Sequence, residues 1–197
     1  MAKYKINYLK CIVIVHGKSE KQICEYIKTN LRLHMEIVGK AGGENSIQIT
    51  SLKHILNDSR FNTFENFINF YDDVEIKKNR GKQSLTSEFK IFIIMDTDDC
   101  TENQKTKYIS KEMFRDHWAY EYIVPIFNSP ELETVMEKAG IKFEKKGAER
   151  KKEYIKIFPT DRKYKNKESI ELKTFCDNLE KVKDTNLDVF VATCLSY

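Results

Sequence analysis

The sequence predicts an α/β fold: a doubly wound, mostly parallel sheet with helices on both faces. Two observations predict it. Cys11–Val15 and Ile91–Met95 are short, wholly apolar runs rich in β-branched residues, the pattern of strands buried on both sides. Each is followed by a segment whose apolar residues recur at helical spacing, and strands alternating with helices give a parallel sheet.

The elements follow in order. After Cys11–Val15, His16-Gly17-Lys18-Ser19 reads as a tight turn, and Ser19 with Gln22 three residues on predicts a capping box. The helix from Glu20 to Leu33 would bury Ile23, Tyr26, Ile27 and Leu31. Met35–Val38 and Ile47–Thr50 are short apolar or β-branched runs on either side of the glycine-rich loop Gly39–Gly43. Ser51–Asn57 and Thr63–Tyr71 read as helices, and 72–88, polar with Gly81, as an exposed connection. The second buried strand, Phe89–Met95, ends in Asp96-Thr97-Asp98-Asp99. A helix is expected from about Glu102 to His117, with Tyr108, Ile109, Met113 and Phe114 sharing a face. Tyr122–Phe127 is a further strand. Asn128-Ser129-Pro130 is expected to cap the next helix, with Pro130 near its first turn. That helix stops at Gly140, and two more are expected at 169–182 and 186–195. Residues 1–140 thus form the α/β domain, and 141–197 a basic, mostly helical extension packed on it.

Composition bounds the function. The chain has 197 residues, 41% apolar and 12% aromatic, enough to fill a core and to exclude disorder. Its longest early apolar run, Cys11–Val15, is too short for a signal peptide or a membrane span. The five cysteines form no CxxC pair, so they read as reduced thiols of a cytoplasmic protein with no membrane partner. The net charge of +4 is unevenly spread: Lys142–Lys167 holds 11 basic and 4 acidic residues, a surplus of 7. Within it Arg150, Lys151, Lys152, Arg162, Lys163 and Lys165 are interleaved with Tyr154, Phe158 and Tyr164. This composition suits the tracking of a DNA or RNA backbone, and equally a solvated face.

In open α/β sheets, ligands bind beyond the carboxyl ends of the strands. Both buried strands end in polar clusters there. Asp96 and Asp98 are two apart, so in extended backbone they point the same way. Two close carboxylates repel unless a cation neutralises them, and hard oxygen ligands suit Mg²⁺ or Mn²⁺; the same residues are also ordinary turn formers and helix N-caps after a strand. The other cluster contains Gly17-Lys18-Ser19, but a phosphate loop needs a glycine where Ile12 stands, which disfavours a nucleotide triphosphatase. Gly17 can still let a phosphodiester approach the backbone, and Lys18 can neutralise its charge.

An apolar strand, the turn His16-Gly17-Lys18-Ser19-Glu20, a helix, and a later strand ending in Asp96-Thr97-Asp98 resemble the Toprim fold. That fold is shared by topoisomerases, primases, OLD-type nucleases and the RloB-like proteins of phage-defence loci. The likeness covers about residues 9–138. Asn128-Ser129-Pro130-Glu131-Leu132-Glu133 is similar to the Asn-Pro-x-x-Glu element of RloB-like proteins, with Glu133 at the acidic position. The resemblance implies a metal-dependent nuclease: Asp96 and Asp98 holding the metal, and Glu133, Lys18 and a proton carrier completing the site. This sequence departs at the residue before Gly17, where Toprim proteins have glutamate and this chain has His16. Either His16 or Glu20 could move the proton. The alternatives are a degenerate Toprim-like module that binds nucleic acid or a partner protein of a defence system, and a sensor or toxin acting with a separate ATPase.

Overall fold

The computed structural model describes residues 7–145, 149–161 and 170–197. Chain order gives β1 (Cys11–Val15), α1 (Lys18–Leu31), β2 (Met35–Val38), α2 (Leu52–Leu56), α3 (Phe64–Phe70), β3 (Ile76–Asn79) and β4 (Lys82–Leu85). Then come β5 (Lys90–Asp96), α4 (Glu102–Ile109), β6 (Ile123–Asn128), α5 (Leu132–Lys138), α6 (Arg150–Ile157), α7 (Leu172–Leu179) and α8 (Leu187–Ser196). Four strands form one parallel sheet in the order β2-β1-β5-β6, with Val15 beside Ile94 and Asp96 beside Asn128.

The alternation of side chains along each strand sorts the core into two layers. Cys11, Val13 and Val15 of β1, with Phe92 and Ile94 of β5, face one side. There they meet Ile23 and Ile27 of α1, Val135 of α5, Tyr154 of α6, Phe175 of α7 and Phe190 of α8. Ile12, Ile14, Ile91, Ile93 and Met95 face the other side, against Leu52, Phe67, Tyr108 and Phe114. Burial on both faces is why these runs carry no polar residue. The predicted parallel sheet flanked by helices is therefore present, in a Rossmann-like arrangement. The chain winds from β1 outward to β2, then crosses back to β5 and β6, so the winding reverses between β1 and β5. That is the place where such sheets open a crevice.

Several local expectations change. The cap of α1 is Gly17, not Ser19: Glu20 Oε2 accepts the Gly17 N–H at 2.9 Å, the returning half of a capping box. The helix expected to reach His117 ends at Ile109, because Lys111 adopts a left-handed conformation (φ 64°) before the short 3₁₀ turn Glu112–Phe114. The exposed connection 72–88 contains the antiparallel hairpin β3–β4, whose turn residues Arg80 and Gly81 both have positive φ. Ile49–Ser51 is a 3₁₀ turn. Pro130 lies outside α5, which is capped at Glu131, and the Ser129–Pro130 peptide is cis.

Candidate functional site

Three acidic side chains from separate elements converge at the β1/β5 switch point. Asp96 ends β5, Glu20 sits in the first turn of α1, and Glu133 in the first turn of α5. Asp96 is buried, and its Oδ1 accepts from Asn128 Nδ2 at 3.1 Å and from the Leu132 N–H at 3.0 Å. Among the described residues its Oδ2 receives no hydrogen bond, and His16 Nε2 lies 4.0 Å from it. Glu20 is also buried and is held by the Gly17 N–H. Glu133 Oε1 accepts from the Ser19 hydroxyl at 3.3 Å, which ties α5 to α1 across the crevice.

These carboxyls oppose one another. Burial, aided by Glu133, pushes Glu20 up to about 7. Burial and then Glu20 push Asp96 up to about 8, with His16 and the Asn128 hydrogen bond acting in the opposite direction. Folding has thus gathered acidic groups whose ionisation is opposed by burial and by one another, without a lysine or arginine paired to them in the ion pairs of the described residues. The Nδ1 atom of His16 is buried and has no hydrogen-bond partner among the described residues.

The remaining predicted residues fall as follows. Asp98 is exposed, in the turn beyond the end of β5 at Asp96. The extended backbone that would align Asp98 with Asp96 is therefore absent. Asp99 instead carries the local coupling, raised by burial and by Asp98 and lowered by His16 and Gln48. Lys18 forms an ion pair with Glu44. At Gly17, where a phosphodiester is expected to approach the backbone, the N–H donates to Glu20. Lys152 is exposed on α6. The side chains of Arg150 and Lys151, and Arg162, Lys163 and Lys165, lie outside the described residues.

Sequence reasoning missed the groups that fix Asp96. Asn128 is fully buried, and its Oδ1 lies 3.0 Å from the Thr185 hydroxyl, which is also 2.8 Å from the Phe127 carbonyl and accepts the Leu187 N–H. This network runs from the start of α8 to Asp96. Lys105 Nζ donates to the Ser129 hydroxyl at 2.9 Å, placing a cation beside the loop after β6. Asn128 stands in the quoted motif, but only the register of β6 on β5 reveals its role.

Among the described residues, no three His, Cys, Asp or Glu side chains gather closely enough to form a metal-ligand set. The side chains at the switch point, Asp96, Glu20 and Glu133, nevertheless carry carboxyl oxygens, the donor type that a hard divalent cation takes. Comparison with family models, curated proteins and solved structures finds no match to this chain. No helix among the described residues is long and apolar enough to cross a membrane.

Proposed function

We propose that this chain is a Toprim-like, metal-dependent phosphodiesterase that cleaves DNA or RNA. The observation that carries the proposal is the approach of Asp96, Glu20 and Glu133 to one another at the sheet's switch point, with Asp96 Oδ2 left without a donor among the described residues. Asp96 and Glu133 are the groups that would hold Mg²⁺ or Mn²⁺. When bound, such a cation supplies Lewis-acid polarisation of a phosphoryl oxygen. The protein's own residues do the positioning. Asn128 and the Leu132 N–H lock the Asp96 carboxylate in one orientation. Ser19 fixes Glu133. His16, 4.0 Å from Asp96, or Glu20, anchored at Gly17, takes the proton from an attacking water. Lys18, on the opening turn of α1, exchanges Glu44 for a phosphate oxygen. The resemblance extends the proposal to phage defence beside a partner protein of such a system.

The test is cleavage of end-labelled single- and double-stranded DNA and RNA with Mg²⁺ or Mn²⁺. Asp96→Ala should lower the rate by about 10²-fold or more while the circular dichroism spectrum is unchanged. A wild-type chain that cleaves none of these with either ion overturns the enzymatic reading.

A second reading, a module that binds nucleic acid or a partner protein without cleaving, is favoured by His16 in place of the Toprim glutamate and by the lack of a gathered ligand set among the described residues. Calorimetric titration with Mn²⁺ separates the two: the module gives no heat, the phosphodiesterase does.

A further inference from the structure

A cleft of about 510 Å³ opens beyond the carboxyl end of β2, on the α2 side of the sheet. Its volume is that of a small-molecule site. Its apolar surface comes from Val38, Ile47 and Ile55, its cationic surface from Lys40 and Arg60, and His54 adds an imidazole. Ser46, Thr50 and Ser51 add hydroxyls, and among the described residues no Asp or Glu lines it. Lys40 and His54 have no ion pair among the described residues. Arg60 spends its Nε–H on Asp58 at 2.9 Å and lies over the rings of Phe61 and Phe70, which fixes its guanidinium. The nearby acids are Asp58 and Glu36, and both act on Arg60 from outside the cleft lining.

The wall of the cleft is built tightly. A Cβ on Gly39 would meet the Gly43 nitrogen at 2.9 Å, so only glycine lets the 39–43 loop fold back on itself. The segment carrying Ser46 and Ile47 also borders the acidic site: the Ile47 N–H donates to the His16 carbonyl at 2.8 Å. Cleft and carboxylates therefore lie on either side of one short segment.

We propose that this cleft binds a nucleoside 5′-phosphate unit, free or as a link in a nucleic-acid strand. The base or sugar rests on Val38, Ile47 and Ile55, and the phosphate lies among Lys40, His54 and Arg60. A bare phosphate would leave the apolar surface wet, and a purely apolar ligand would strip water from two cationic side chains and an imidazole; a nucleotide satisfies both. The assignment rests on the reading of the chain as one that acts on nucleic acid, and names how that substrate is gripped beside the carboxylates.

The experiment is calorimetric titration in EDTA, where no metal-dependent cleavage occurs, with inorganic phosphate, 5′-AMP and a short oligothymidylate. The nucleotide or the oligomer should bind more tightly than inorganic phosphate. Tighter binding of AMP identifies a free nucleotide as the ligand, and tighter binding of the oligomer identifies a strand. Lys40→Glu/His54→Glu, both exposed positions, should weaken binding about tenfold or more and reduce the salt slope by about 1 to 2. Thr50→Trp fills the cleft from an exposed position and should do the same without changing charge. The proposal is overturned if phosphate binds as well as AMP and the oligomer, if neither nucleotide probe gives heat at millimolar concentration, or if both folded variants bind like wild type. A chain that binds AMP here but cleaves nothing keeps the cleft and loses the phosphodiesterase reading. One that cleaves normally while the cleft variants bind unchanged loses only the cleft.

Discussion

Replacing Asp96 by Asn tests the electrostatics of the switch point with almost no change of shape. The amide keeps Oδ1, so the hydrogen bonds from Asn128 and the Leu132 N–H remain. What disappears is a charge opposed by burial and by Glu20. In the folded wild type Asp96 titrates at about 8 rather than the ordinary 3.8. The folded protein thus holds this proton more tightly than the unfolded chain. Its contribution to stability is complete below the unfolded value and is lost as pH rises through that interval. At about 1.4 kcal/mol per unit, the whole interval corresponds to roughly 6 kcal/mol, an upper figure because water and side-chain movement relax a buried charge. Asn does not ionise, so the stability of Asp96→Asn relative to wild type should grow by about 3 kcal/mol between about pH 5 and about pH 9. Urea denaturation at both pH values, with equal m-values, measures the difference. A stability gap that stays constant with pH, or shrinks, would refute the placement of an opposed, buried carboxyl at the end of β5.

Three further outcomes are expected. Mg²⁺ or Mn²⁺ at about 100 times its dissociation constant should stabilise the wild type by about 2.7 kcal/mol, read as a rise in melting temperature that EDTA reverses; Asp96→Asn should lose most of that rise, and an equal rise in both proteins would place the ion elsewhere. Thr185→Val removes the hydroxyl that meets Phe127, Asn128 and the Leu187 N–H, and should cost about 1–3 kcal/mol in urea denaturation. Phe175→Ala empties a fully buried ring site between Phe158 and the α7–α8 layer, and should cost about 3–5 kcal/mol, seen as a lower denaturation midpoint; a loss below about 1 kcal/mol would mean that α7 does not pack on the sheet.

The strands were legible because burial on both faces leaves an unmistakable composition, as in Cys11–Val15 and Phe89–Met95. The hairpin β3–β4 was not, because its exposed, charged residues carry no burial pattern and only the positive-φ pair Arg80-Gly81 marks it. The end of α4 was hidden for a related reason. Apolar residues continue at helical spacing through Met113 and Phe114, yet Phe114 reaches its core position through a 3₁₀ turn.

The site divides in the same way. Sequence by itself determined that polar clusters follow β1 and β5 and that acidic residues stand at 96 and 133, since strand ends and turn chemistry are local. Which carboxyls meet was decided only by tertiary structure. Asp98, two residues from Asp96, points to solvent because β5 ends early, whereas Glu20, 76 residues away in the chain, is buried with Asp96 because β1 and β5 pair in register and α1 starts at that edge. Asn128 and Thr185 reach Asp96 only through the pairing of β6 on β5 and the return of the chain before α8. Local spacing governs which way neighbouring side chains point; sheet register and winding order govern which distant ones share a pocket, and no short-range pattern encodes them.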